Sequence, residues 1–168
     1  MSLIDFDLGP ERDIHPVDVI EQVAALNEWA FDRSNEHEIT ISVEGSFADY
    51  HVSFSWMVDV EALHLASGFD LKVPVARRTE VVKLLARINE HMLVGHFDLW
   101  HDDGIVLYRA SLLLSGGAEP TPHQCAELLA NAIENCERYY QAFQFVVWAG
   151  KTAEEALSAT LFETAGEA

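Results

Sequence analysis

A disulfide framework is excluded at the outset, because 168 residues carry only two cysteines. Cys125 and Cys136 lie eleven positions apart in a stretch of helical periodicity, so their backbones would stand about 16 Å apart, beyond bridging distance. Both fall on an apolar stripe and read as buried thiols of a reducing compartment. Positive charge is also scarce: ten Lys and Arg face 28 Asp and Glu, a formal net charge of −18. Such a field repels phosphate backbones and anionic lipid headgroups, so neither nucleic acid nor membrane is an expected partner. It favours solubility and steers toward basic surfaces. No run approaches the length of apolar residues that a spanning helix needs, so no membrane span is expected. Met1-Ser2-Leu3-Ile4-Asp5 lacks the basic start and apolar run of a signal peptide. A cytoplasmic location is the expectation.

Signatures of catalysis are missing too. There is no Gly-x-Ser-x-Gly elbow, and Gly116-Gly117 lacks the Lys-Ser/Thr of a phosphate loop. His37-Glu38 opens like a zinc-protease motif, but Ile41 stands where the second histidine belongs. His91, His96 and His101 crowd one segment with Asp98, Asp102 and Asp103. On a strand, His96 and His101 would face opposite sides about 16 Å apart, too far to share a metal. No catalytic, metal-binding or cofactor-binding residue is assigned, no cofactor is expected, and no enzyme is expected.

What is present is a clear order of periodicities. After a loose leader over 1–14, Pro16 opens a helix in which Val19, Ile20, Val23, Ala24, Asn27 and Ala30 keep helical spacing to about Phe31. The period then drops to two. Ile39, Ile41 and Val43 mark one strand, Tyr50, Val52, Phe54 and Trp56 a second, and Leu63, Leu65, Ser67 and Phe69 a third, giving an antiparallel meander. Pro74 opens a second helix with Val75, Val81, Val82, Leu84, Leu85, Ile88 and Met92 as its stripe, stopped at Gly95. Phe97 and Leu99 pair as a hairpin with Ile105–Leu114 through His101-Asp102-Asp103-Gly104. Thr121-Pro122-His123-Gln124 is a capping box that opens a long helix to about Trp148, and Thr152 with Glu155 opens a short one to about Phe162. The expected fold is a two-layer α+β sandwich with an antiparallel sheet of about five strands. Its order is α-β-β-β-α-β-β-α plus a short C-terminal helix. One domain is expected over 15–162, with a frayed tail over 163–168.

Two surfaces stand out as partner sites. Lys72, Arg77, Arg78, Lys83 and Arg87 are half of all the basic residues and meet only Glu80 in their window, so they could dock an acidic partner or a second copy. Trp29, Tyr50, Trp56 and Trp100 are large aromatics which, if exposed together, would form a peptide groove.

Four segments carry a family resemblance: Ala25-Leu26-Asn27-Glu28-Trp29-Ala30-Phe31; Glu44-Gly45-Ser46 through Tyr50-His51-Val52-Ser53-Phe54-Ser55-Trp56; Gly95-His96-Phe97-Asp98-Leu99-Trp100; and Cys136-Glu137-Arg138-Tyr139-Tyr140 through Trp148-Ala149-Gly150-Lys151. Over roughly residues 15–162 the sequence resembles the YbjN family of bacterial proteins, labelled sensory transduction regulators. That resemblance implies a fold like the type III secretion chaperones, a sheet that can bind an extended polypeptide, and homodimers. It carries no functional residues across.

The expected function is therefore a non-enzymatic protein-binding regulator or chaperone-like module that captures a partner by a sheet edge or groove. Two alternatives stay open: a dedicated secretion-effector chaperone, and an unrecognised metal-dependent hydrolase.

Overall fold

The computed structural model describes the backbone of residues 12–166 and side chains through residue 161. Ten elements follow one another: α1 (Pro16–Leu26), β1 (Ala30–Asn35), β2 (Glu38–Glu44), β3 (Asp49–Met57), β4 (Ala62–Lys72), α2 (Arg78–Asn89), β5 (His96–Trp100), β6 (Ile105–Leu113), α3 (Pro122–Val147) and α4 (Ala153–Gly166). The six strands form one sheet in the order β1-β2-β3-β4-β6-β5, every neighbouring pair antiparallel. This is the two-layer α+β architecture, with one strand more than the sequence announces.

The added strand is β1. Periodicity carries the first helix to about Phe31, but α1 stops at Leu26, and Glu28 turns the chain with a φ of +57°. Left-handed backbone at a non-glycine residue leaves no signature in the sequence. The chain re-enters as a strand whose Ala30 pairs with Ser42 and Arg33 with Ile39. The second helix is shorter than expected as well. Val75 sits in a 3-10 turn before it, α2 ends at Asn89, and Gly95, at φ +72°, bends the chain into β5. Val75 and Val82, counted on the apolar stripe, are exposed. The leader over 1–14 lies outside the described residues except for Arg12, Asp13 and Ile14. Of the tail over 163–168, only the backbone as far as Gly166, inside α4, is described.

Alternation explains the layers. Ile39 and Ile41, Val52 and Phe54, Leu63 and Leu65, Phe97, Val106 and Tyr108 all point to one side, and each is buried. The helices lie on that side. Phe69 of β4 stands at the centre, its ring 5.8 Å from Phe97, 5.2 Å from Tyr140 and 5.4 Å from Phe143. Both capping boxes form as the sequence reads them, Thr121 with Gln124 and Thr152 with Glu155. Cys125 and Cys136 are buried, and desolvation pushes their thiols up to about 11 and about 12, which leaves them inert as nucleophiles at neutral pH.

Candidate functional site: two unlike sheet edges

Among the described residues no helix covers the other side of the sheet, which carries polar side chains along β2, β3 and the middle of β4 and apolar ones toward the ends of β5 and β6. Hydroxyls and imidazoles pair across strands there: Thr40 Oγ1 lies 3.0 Å from Ser53 Oγ, and Ser42 Oγ lies 3.0 Å from His51 Nδ1. Arg109 of β6 donates from Nε to His64 Nε2 at 3.2 Å and from Nη1 to Asp98 Oδ2 at 3.3 Å. Burial, then the neighbouring Arg109 and His96, hold His64 below the ordinary histidine range. Its Nε2 lone pair already accepts from a guanidinium, so that nitrogen cannot act as a base toward a nucleophile. Ser42 and His51 touch, but among the described residues no carboxylate bonds the imidazole to orient it. Among the described residues, no three His, Cys, Asp or Glu side chains gather to hold a metal.

The four aromatics expected to share a groove do not meet. Tyr50 is only 1% exposed and Trp56 8%, so neither offers a surface to a partner. Both point inward with Val52 and Phe54 on β3. Trp56 is further covered by the Arg12 guanidinium, 4.8 Å above its ring, and by the His15 ring. Trp100 is half exposed at the end of β5, while Trp29 precedes β1. Those are opposite edges of a six-stranded sheet, about 24 Å apart at ordinary strand spacing.

The basic window is dispersed in the same way. Arg77 donates to Val146 O at 2.8 Å and to Lys151 O at 2.7 Å, so it caps the end of α3. Arg78 donates to His101 O in the β5–β6 turn. Lys83 pairs with Glu80 at 3.1 Å. Glu80 also accepts from Ala153 N at 3.1 Å; that bond first, then Lys83, holds its carboxyl below the usual range. Arg77 and Glu80 fasten the start of α2 to the corner between α3 and α4, and Arg78 fastens it to the β5–β6 turn. Lys72 stands exposed at the end of β4, and Arg87 stands exposed near the end of α2.

The edges of the sheet differ in a way that the sequence does not disclose. On the outer side of β5, Asn89 from α2 presents its carboxamide as a substitute strand. Its Nδ2 donates to Phe97 O at 3.0 Å, and its Oδ1 accepts from Phe97 N at 2.9 Å. The next outward amide, Leu99 N, donates to Asp98 Oδ1 at 2.9 Å. Edge β5 is closed. Edge β1 has no such cover: none of its outward backbone groups from Ala30 to Ser34 finds a partner among the described residues. Phe31, on the helix side of that edge opposite Ile41, is 39% exposed. At its N-terminal end a groove of about 320 Å³ opens between the sheet and α3, lined by Trp29, Val43, Leu129 and Ile133.

One titratable device lies near this edge. His15 caps α1, its Nδ1 accepting from Val17 N at 3.1 Å, so Nε2 carries the proton and donates to His37 Nδ1 at 3.0 Å. Burial leads in lowering the His15 pKa; His37 and Arg33 add to it, while Asp18 and Glu36 oppose it. A proton on His15 Nδ1 abolishes the cap. The unfolded chain, titrating near 6.5, binds that proton more readily, so stability is lost as pH falls below 6.5. Thermal unfolding between pH 7.5 and 5 is expected to show the loss, at about the 1 kcal/mol worth of an N-cap. In His15→Asn, which caps without titrating, that component of the slope is expected to disappear.

The family model described as "YbjN: Putative bacterial sensory transduction regulator" matches residues 16–145. The chain belongs to the YbjN family. The match takes in both edges, the Asn89 clamp and Trp29, and ends before α4. Among solved structures, YbjN of E. coli is similar over 72% of this chain and 85% of its own, at 14% identity and a TM-score of 0.53. At that identity the likeness concerns the YbjN fold alone. The ExsC–ExsE complex also matches, over 73% of this chain and 88% of that one, at 16% identity. Its TM-score of 0.44 is too low to bear on this YbjN protein's architecture or role. No curated protein matches the sequence. No helix among the described residues is long and apolar enough to cross a membrane.

Proposed function

We propose that this YbjN protein is a non-catalytic, protein-binding regulator of the cytoplasm that takes an extended segment of a partner along the outer edge of β1. The observation that carries this reading is the inequality of the two edges. An unpaired edge templates another strand, and folded proteins cover such edges unless they use them. Here a side-chain amide closes β5 at Phe97, while among the described residues β1 keeps its ladder open beside a part-exposed phenylalanine. Backbone pairing along β1 would supply affinity; the groove at Trp29, Val43 and Ile133 would take an apolar side chain of the added strand and supply selectivity. On the sheet face away from the helices the His64 imidazole is taken up by Arg109 and His51 pairs with Ser42, an arrangement that suits the non-catalytic reading.

Photocrosslinking tests it. A benzoylphenylalanine placed at Phe31 is expected to capture a discrete heterologous protein in the native cytoplasm, whereas the same probe at Trp100, beside the closed edge, is expected to capture none. Trp29→Ala is expected to weaken that capture about tenfold or more, as loss of a buried aromatic anchor does. Equal labelling from both positions contradicts the reading. Adducts joining Phe31 of two copies would assign the edge to a homodimer instead.

A further inference from the structure

Seven arginines serve this acidic chain, and five are committed. Arg12 and Arg33 pair with carboxylates, Arg77 and Arg78 with backbone carbonyls, and Arg109 with His64 and Asp98. The two left over are Arg87 and Arg138. Arg87 makes no hydrogen bond or ion pair among the described residues. Arg138 reaches only Glu134, one turn away on α3, at a long 3.5 Å with both side chains more than half exposed. Both line the same cleft, a space of about 370 Å³ between the end of α2, the middle of α3 and α4. Its remaining walls are mainly apolar: Ile88, Tyr139, Leu157 and Leu161. Two carboxylates are near: Glu90, on the cleft wall and 3.3 Å from His91, and Glu134, the loose partner of Arg138.

One unpaired guanidinium and one loosely paired one, set above a mainly apolar hollow, suit a ligand with both properties. We propose that this cleft binds a small amphipathic anion, a medium-length hydrocarbon body ending in a carboxylate or similar oxyanion. The apolar body lies against Ile88, Tyr139 and Leu157, and the oxyanion accepts from Arg87 and Arg138. Charge complementarity selects it: on a chain of net −18, this cleft holds Arg87, which has neither hydrogen bond nor ion pair among the described residues, beside the loosely held Arg138, so an oxyanion finds donors there that a cationic amphiphile cannot use. The site is separate from the β1 edge and belongs to a different class of ligand from the partner strand.

Titration calorimetry on the full chain decides it, with decanoate below its micelle concentration as the probe, and decanol and decyltrimethylammonium as comparators. Saturable binding of one decanoate per chain is expected, with both comparators at least tenfold weaker. The double variant Arg87→Ala/Arg138→Ala is expected to lose decanoate binding at least tenfold while its unfolding midpoint stays unchanged, because neither side chain holds the fold. Leu157→Asn is expected to weaken both decanoate and decanol. Equal binding of all three amphiphiles, undiminished binding to the double variant, or no saturable heat at millimolar decanoate would each overturn the proposal. A variant blocked at β1, such as Phe31→Lys, is expected to bind decanoate normally, so failure of one site is read separately from failure of the other.

Discussion

Phe69→Ala is expected to remove about 3–5 kcal/mol of stability, the range for deleting a buried aromatic from a core that cannot collapse around the hole. Phe69 is the ring on which the two layers meet. It projects from β4, contacts Tyr50 and Phe97 from the sheet, and contacts Tyr140 and Phe143 from α3. Three of those contacts are edge-on or tilted at centroid distances under 6 Å, a geometry that adds to simple burial. A domain of this size has about 5–15 kcal/mol in total, so the variant should be close to the margin. Urea unfolding is the measurement, and Phe69→Leu, which fills most of the space, is expected to lose under half as much. A loss below about 1 kcal/mol for the alanine variant would mean that the core is organised elsewhere.

The second large effect is expected at Asn89. Leucine there preserves size and helix propensity but removes both bonds to Phe97, leaving an amide and a carbonyl unpaired at a half-covered edge. The cost is about 2–4 kcal/mol, from the desolvation of two orphaned backbone groups. A second consequence separates this account from a merely structural role. Opening β5 creates a new template for strand pairing, so Asn89→Leu is expected to self-associate with rising concentration in sedimentation velocity, where the unaltered protein does not do so through β5. Asn89→Asp keeps the acceptor for Phe97 N but turns a carboxylate oxygen toward Phe97 O, so it is expected to be destabilised as well. If Asn89→Leu loses stability without gaining any association, the amide is only a local brace.

Much of this was written in the sequence, and the omissions have physical causes. Strands announce themselves when one face is dry: Ile39 to Val43 and Tyr50 to Trp56 alternate because helices cover one side only. That same alternation groups Tyr50 and Trp56 with Val52 and Phe54, and so argues for their burial; their size drew attention to a surface role they do not have. Strand β1 escaped because Asn27 and Ala30 continue the helical spacing of α1, and the turn between them uses a glutamate rather than a glycine. The charge count of the basic window was correct, but counting cannot see that Arg77 and Arg78 spend their donors on carbonyl oxygens over 20 positions away. Asn89 reads simply as a helix ending, since its partner Phe97 is fixed by the bend at Gly95. Arg87 and Arg138 come together only once α2 and α3 are packed, fifty-one positions apart in the chain.

Residue-resolved amide exchange on the free protein, and then with the partner recovered at Phe31, is the most direct test of the unequal edges. In the free protein the amides of Phe97 and Leu99 are expected to be protected, and the outward amides of β1 to exchange almost as fast as an unstructured chain. Adding the partner should slow β1 and leave β5 unchanged. Protection that arises on β5, or a partner that binds tightly without slowing any β1 amide, would contradict the account.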